Sequence, residues 1–127
     1  MKNLFGKIQF IINKIKYPEN IWYGGGLNRE HALYCVGKGW SEIINNLYDA
    51  KPKNVKVWQV KEKYGTLRVY TSGNSEWYDD LIDFYEHKSE TICEQCGRSG
   101  KLRPDRGCIL TLCDECDKVD RDSRKAS

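Results

Sequence analysis

Cys93 and Cys96 form one Cys-x-x-Cys pair, and Cys113 and Cys116 form a second after a gap of sixteen residues. Two pairs at this spacing supply the four corners of a tetrahedral metal site, with the intervening chain long enough for a hairpin that brings the second pair round. Gly97, directly after Cys96, suits the turn of a metal knuckle. Four thiolates fill a zinc ion's coordination sphere and leave no place for water, so the motif predicts one structural Zn²⁺ per chain rather than a catalytic metal. Such sites are worth on the order of 10–16 kcal/mol in apparent terms, enough to fold an element with almost no core of its own. Residues 93–117 are therefore expected to be a zinc ribbon. Residues 94–112 contain no histidine, and the chain's two are His31 and His87. That argues against a nuclease of the HNH type, which needs a catalytic histidine beside its metal.

The 127 residues suffice for one domain with a metal-stapled extension, and 39% apolar content with 12% aromatic supports a modest core. No run approaches the roughly 20 apolar residues of a membrane span. Residues 1–17 lack the continuous apolar block of a secretory signal. The chain is expected to be cytoplasmic, where thiols stay reduced. Cys35 and Cys108 then read as buried free thiols. The formal charge of +3 falls to +1 once four thiolates enclose Zn²⁺. Residues 1–63 hold eleven Lys/Arg against five Asp/Glu, whereas residues 64–87 hold one against five. The positive charge is concentrated away from the cysteines.

Leu4, Phe5, Ile8, Ile11, Ile12 and Ile15 recur at helical spacing and predict an amphipathic helix over 1–17, ended by Pro18. A core over 18–92 follows. Residues 18–39 read as loop, with Gly24-Gly25-Gly26 a turn because the Lys-Ser/Thr ending of a phosphate loop is missing. Trp40, Ile43, Ile44, Leu47 and Tyr48 predict a second amphipathic helix. Alternation over Val55–Lys63 and Thr66–Thr71, with Gly65 in the turn, predicts a β-hairpin at 55–71. Strict alternation groups Val55, Val57 and Gln59 on one side, and Lys56, Trp58 and Val60 on the other. Trp77, Leu81, Phe84, Tyr85, Lys88 and Ile92 predict the face of a third helix, with acids Glu76, Asp79 and Asp80 in its first turn. The charged stretch 118–127 reads as a flexible tail. The expected class is α+β: a small antiparallel hairpin packed with about three helices, plus a four-cysteine zinc ribbon.

The run Val60-Lys61-Glu62-Lys63-Tyr64-Gly65-Thr66-Leu67-Arg68-Val69-Tyr70, an acidic helix, Cys93-Glu94-Gln95-Cys96-Gly97 and Leu112-Cys113-Asp114-Glu115-Cys116 together resemble a family of small bacterial, prophage and phage proteins. Its members carry a Val-Lys-Glu-Lys-Phe/Tyr-Gly-x-Leu-Arg hairpin, then Cys-x-x-Cys-Gly and Leu-Cys-x-x-Cys/His. Cys116 stands where many relatives use His. Cys35-Val36-Gly37-Lys38-Gly39-Trp40 resembles a Cys-Gly-x-Gly-Trp stretch of the same family. The resemblance spans roughly residues 33–117. It implies a phage or mobile-element origin and points to no particular activity.

No nucleophile or acid/base pair with an orienting partner stands out, so a binding protein is expected rather than an enzyme. The candidate partner-binding residues are Lys56, Trp58, Lys61, Lys63, Tyr64, Arg68 and Tyr70 on the hairpin, and Arg98, Arg103 and Arg106 between the cysteine pairs. The leading expectation is a phage-encoded inhibitor or modulator that contacts a host defence or regulatory protein, with no membrane partner. The alternative is a nucleic-acid-binding regulator using the same basic and aromatic residues.

Overall fold

The computed structural model describes residues 26–125. The helix expected over 1–17 and the first two glycines of the 24–26 run lie outside the described residues. Helix α1 (Arg29–Cys35) is capped by Asn28, whose side chain accepts from the His31 N–H at 2.8 Å. Sequence periodicity does not announce this helix because it is only two turns long and flanked by glycines. A 3₁₀ turn (Lys38–Trp40) leads into α2 (Ser41–Ala50), which buries Ile43, Ile44 and Leu47 as expected. Strands β1 (Lys56–Lys63) and β2 (Thr66–Ser72) pair antiparallel. Helix α3 (Glu76–Ser89) follows, capped by Ser75, then the short antiparallel strands β3 (Lys101–Arg103) and β4 (Leu110–Leu112). Helix α4 (Asp114–Lys125) ends the described chain. The class is α+β: helices on two small antiparallel sheets.

One face of the β1–β2 hairpin presents Val57, Val60, Leu67 and Val69 to Ala32, Ile43, Ile44, Leu47, Tyr78 and Ile82 from the three helices. Buried polar groups within this core are satisfied. Tyr78 Oη donates to the Leu47 carbonyl at 2.6 Å, and Tyr48 Oη to the Leu27 carbonyl at 2.7 Å. Helix α3 also closes the free edge of β2, where the Leu67 N–H donates to Ser89 Oγ and the Val69 N–H to Glu86 Oε2. A two-stranded sheet would otherwise leave these donors as a template for pairing with another chain.

The hairpin corrects the expected strand faces. The register shifts between Val57 and Gln59, a β-bulge that absorbs one residue. Val60 therefore joins Val57 in the core instead of sharing the outer side with Lys56 and Trp58. The turn is the two-residue Tyr64-Gly65, with φ of 54° and 80°. Both residues are left-handed, the type I′ geometry whose twist matches the strands. Glu62 Oε2 secures it by accepting from the Gly65 N–H at 2.6 Å.

The expected face of α3 is met in part: Leu81, Tyr85 and Ile92 pack against the core, but Trp77 and Phe84 do not. Tyr78, Ile82 and Ser89 point inward, while Trp77 and Phe84 are exposed. The buried face is centred on Tyr78 and Ile82, one residue on from Trp77 and Leu81, because large aromatics sit on both sides of the helix. Cys35 and Cys108 are likewise exposed rather than buried.

The largest correction is at the C-terminus. The stretch 118–127, expected as a tail, continues α4 to Lys125. This helix buries no residue. It is held by ion pairs: Asp117–Arg121, Lys118–Asp122 and Asp120–Arg124 along the helix, and Arg103 and Arg106 reaching across to Asp114, Asp117 and Asp120. Acids in the first turn and Arg124 and Lys125 in the last suit its dipole. Composition suggested disorder; the spacing of the charges makes a helix.

Candidate metal centre and basic hairpin face

Cys93 follows the Ile92–Ser99 bridge, and its backbone N–H donates to the Arg98 carbonyl at 2.7 Å. Gly97 returns a bond from its N–H to the Cys93 carbonyl at 2.9 Å, with φ of +84°. This closes a tight knuckle. The second pair is built differently from a ribbon's second knuckle. Cys113 immediately precedes α4, and its Sγ accepts from the Cys116 N–H at 3.4 Å. It does for this helix what a capping serine does elsewhere, and the positive end of the helix favours a thiolate there.

The four sulfurs lie within 4.8 Å of one another, close enough to hold a metal ion. Cys96 and Cys113 are 3.7 Å apart, which matches the edge of ~3.8 Å expected for tetrahedral sulfurs at about 2.3 Å from a metal. Burial pushes the Cys93 thiol up, but N–H groups of Cys113, Cys96 and Gln95 aimed at its sulfur outweigh that and bring it down to about 7. Burial and the three neighbouring sulfurs push Cys116 up instead. Sulfurs this close cannot all ionise unless a cation sits among them. Exposed Cys108 is not one of the four.

The metal unit is seated on the core by contacts that sequence reasoning missed. Gly39 N–H donates to the Glu94 carbonyl at 2.9 Å, and the Trp40 indole N–H to the Ile92 carbonyl at 2.9 Å. A Cβ on Gly39 would lie almost on the Cys93 carbonyl oxygen, 2.6 Å from the Glu94 carbonyl carbon and 2.7 Å from the Gly97 nitrogen. Only glycine lets the knuckle approach so closely. On the other side, Thr111 Oγ1 donates to the Gly65 carbonyl at 2.6 Å, tying β4 to the hairpin turn. The Gly37-Lys38-Gly39-Trp40 stretch was the available signal: two glycines closely spaced before a large aromatic.

The ten candidate partner-binding residues divide into two groups. Arg98 pairs with Glu115, and Arg103 with Asp114 and Asp117 while donating to the Leu112 carbonyl. Arg106, with a side chain only 4% exposed, is enclosed by Asp117 and Asp120. These arginines are spent on holding α4. The hairpin residues differ. Lys61 faces Arg68 directly across the strands, and Tyr70 faces Gln59. Trp58, Tyr64 and Tyr70 are 38%, 66% and 45% exposed. Lys61 Nζ lies 5.5 Å from the Tyr70 ring centre, and Lys63 Nζ 5.8 Å from that of Tyr64. Among the described residues, no carboxylate lies within ion-pair distance of Lys56, Lys61, Lys63 or Arg68.

Comparison with protein families, curated proteins and solved structures returns no match. Among the described residues, no helix is long and apolar enough to cross a membrane.

Proposed function

We propose that this chain is a small zinc-stapled binding protein rather than an enzyme, and that its working surface is the outer face of the β1–β2 hairpin. The cysteines hold one structural zinc whose closed sphere offers no place to a substrate or water. The observation that carries the reading is the charge imbalance on the hairpin. Among the described residues, Lys56, Lys61, Lys63 and Arg68 have no carboxylate partner, and Lys61 and Arg68 are directly opposed, which destabilises a sheet slightly. A surface that retains them is suited to an anionic partner. The motif resemblance implies a phage or prophage accessory factor, which makes host machinery its expected setting.

The test uses immobilised wild-type protein, a Lys61→Glu/Arg68→Glu variant and Arg98→Glu side by side in host extract. The reading expects a partner retained by wild type and by Arg98→Glu, and lost from the double variant. Equal retention by all three rules out the hairpin face. The metal is tested separately: freshly purified protein should contain one equivalent of zinc, and less than half an equivalent contradicts the staple.

A further inference from the structure

We infer that the anionic partner of the hairpin face is single-stranded nucleic acid; this rests on the working surface proposed above. It reverses the order of preference drawn from sequence, which placed a host protein first. The reason lies in how rings and charges are laid out. On β1, Lys61 and Lys63 stand two positions apart on one face, a spacing of ~6.7 Å and the scale of one nucleotide step in an extended strand, and Arg68 of β2 lies opposite Lys61. The same face carries Trp58, Tyr64 and Tyr70 with exposed rings. Trp58 is held in place by its indole N–H donating to Ser72 Oγ at 2.6 Å. Tyr70 lies beside Lys61, which faces Arg68 across the strands.

Rings also anchor protein interfaces, but there they fill desolvated pockets, whereas here Tyr70 and Tyr64 are each bordered by a lysine, Lys61 and Lys63. A duplex keeps its base faces stacked inside and offers the rings nothing to cover. An unpaired strand uses both features, with phosphates against Lys56, Lys61, Lys63 and Arg68 and bases against the rings. A sheet face with exposed aromatics is a known solution to this problem, because every base has a π-face regardless of sequence. Little dependence on base identity is expected, since stacking and phosphate contacts do not read base edges.

The test is a titration of zinc-loaded full-length protein with short fluorescent single-stranded DNA and RNA, the matching duplex, and polyglutamate as a non-nucleic polyanion. Single strands should bind, with log K falling against log salt at a slope of about −3, from four phosphate contacts at about 0.7 each. Arg68→Gln should make that slope shallower by about 0.7. Tyr70→Ala and Trp58→Ala should weaken binding roughly tenfold at unchanged slope. Tyr70→Phe and Trp58→Phe should restore it, which separates stacking from a folding defect. Failure of both single strands to bind at low salt overturns the inference. So does polyglutamate or duplex binding as tightly, or alanine at the rings having no effect. If nucleic acid does not bind but capture from extract still depends on Lys61 and Arg68, the inference falls and the proposed surface stands. If capture is also independent of them, both fall.

Discussion

Replacing Gly39 with alanine tests how the metal unit is joined to the core. The added Cβ meets three backbone atoms of the first knuckle: the Cys93 oxygen, the Glu94 carbonyl carbon and the Gly97 nitrogen. None is a flexible side-chain end that can swing away. The knuckle must therefore move, at an overpacking cost of about 1–3 kcal/mol. The movement also strains the Gly39–Glu94 backbone bond and the Trp40–Ile92 bond, worth about 1 kcal/mol each. The sum is roughly 3–5 kcal/mol, a fall in melting temperature of roughly 10–20 °C for a domain this size. The assay is thermal unfolding of zinc-loaded protein by circular dichroism, together with chelator competition, which should extract zinc faster from the variant. Gly107→Ala is the control, since nothing lies within 4 Å of its added carbon. If Gly39→Ala melts within about 2 °C of wild type, as a neutral surface change does, the proposed seating of the knuckle on Gly39 is refuted.

Other consequences are open to measurement. Cys113→Ser removes a metal ligand and the sulfur that caps α4, so the variant should lose zinc and unfold at lower temperature; retention of a full equivalent after dialysis would falsify its role. Arg106→Gln leaves Asp117 and Asp120 without their shared, almost fully buried partner and should cost about 2–3 kcal/mol, read as faster amide exchange along α4. Unchanged exchange there would show that the helix stands without this bond. Glu94 is buried, and burial together with nearby Glu62 pushes its carboxyl up to about 7, against the opposing pull of the Thr111 N–H and Arg106. An acid raised in the folded state loses stability as pH climbs from its unfolded value of 4.5 to about 7. The full shift corresponds to roughly 3 kcal/mol, which solvent screening reduces to about 1–2. Glu94→Gln should flatten stability across that range, and an undiminished pH slope in the variant would contradict the assignment.

The cysteine spacing made the four-cysteine cluster legible in sequence because chelation geometry permits few alternatives. The second helix and the hairpin were legible through Ile43, Ile44, Leu47 and the alternation around Gly65. The bulge at Val57–Gln59 was not, because one absorbed residue leaves no compositional trace yet flips Val60 into the core. The face of α3 misled because Trp77 and Phe84 are large and apolar but stay in solvent. The helix at 114–125 was hidden because part of its stability comes from Arg103 at the end of β3 and Arg106 in the loop after it, a tertiary effect that local composition does not carry. Those same ion pairs separate the two basic clusters. From sequence, Arg103 and Arg106 looked as available as Lys61 and Arg68. Folded, the first two are neutralised and the last two are opposed to one another.

The central claim is a division of labour, in which the cysteines hold the shape and the hairpin's outer face binds. It is tested most directly by titrating wild type and Arg68→Glu with a labelled single strand, both proteins carrying one zinc and melting alike. The account predicts a large loss of affinity in the variant at low salt, converging toward wild type as salt rises. Equal affinity of the two proteins across the salt range would contradict it.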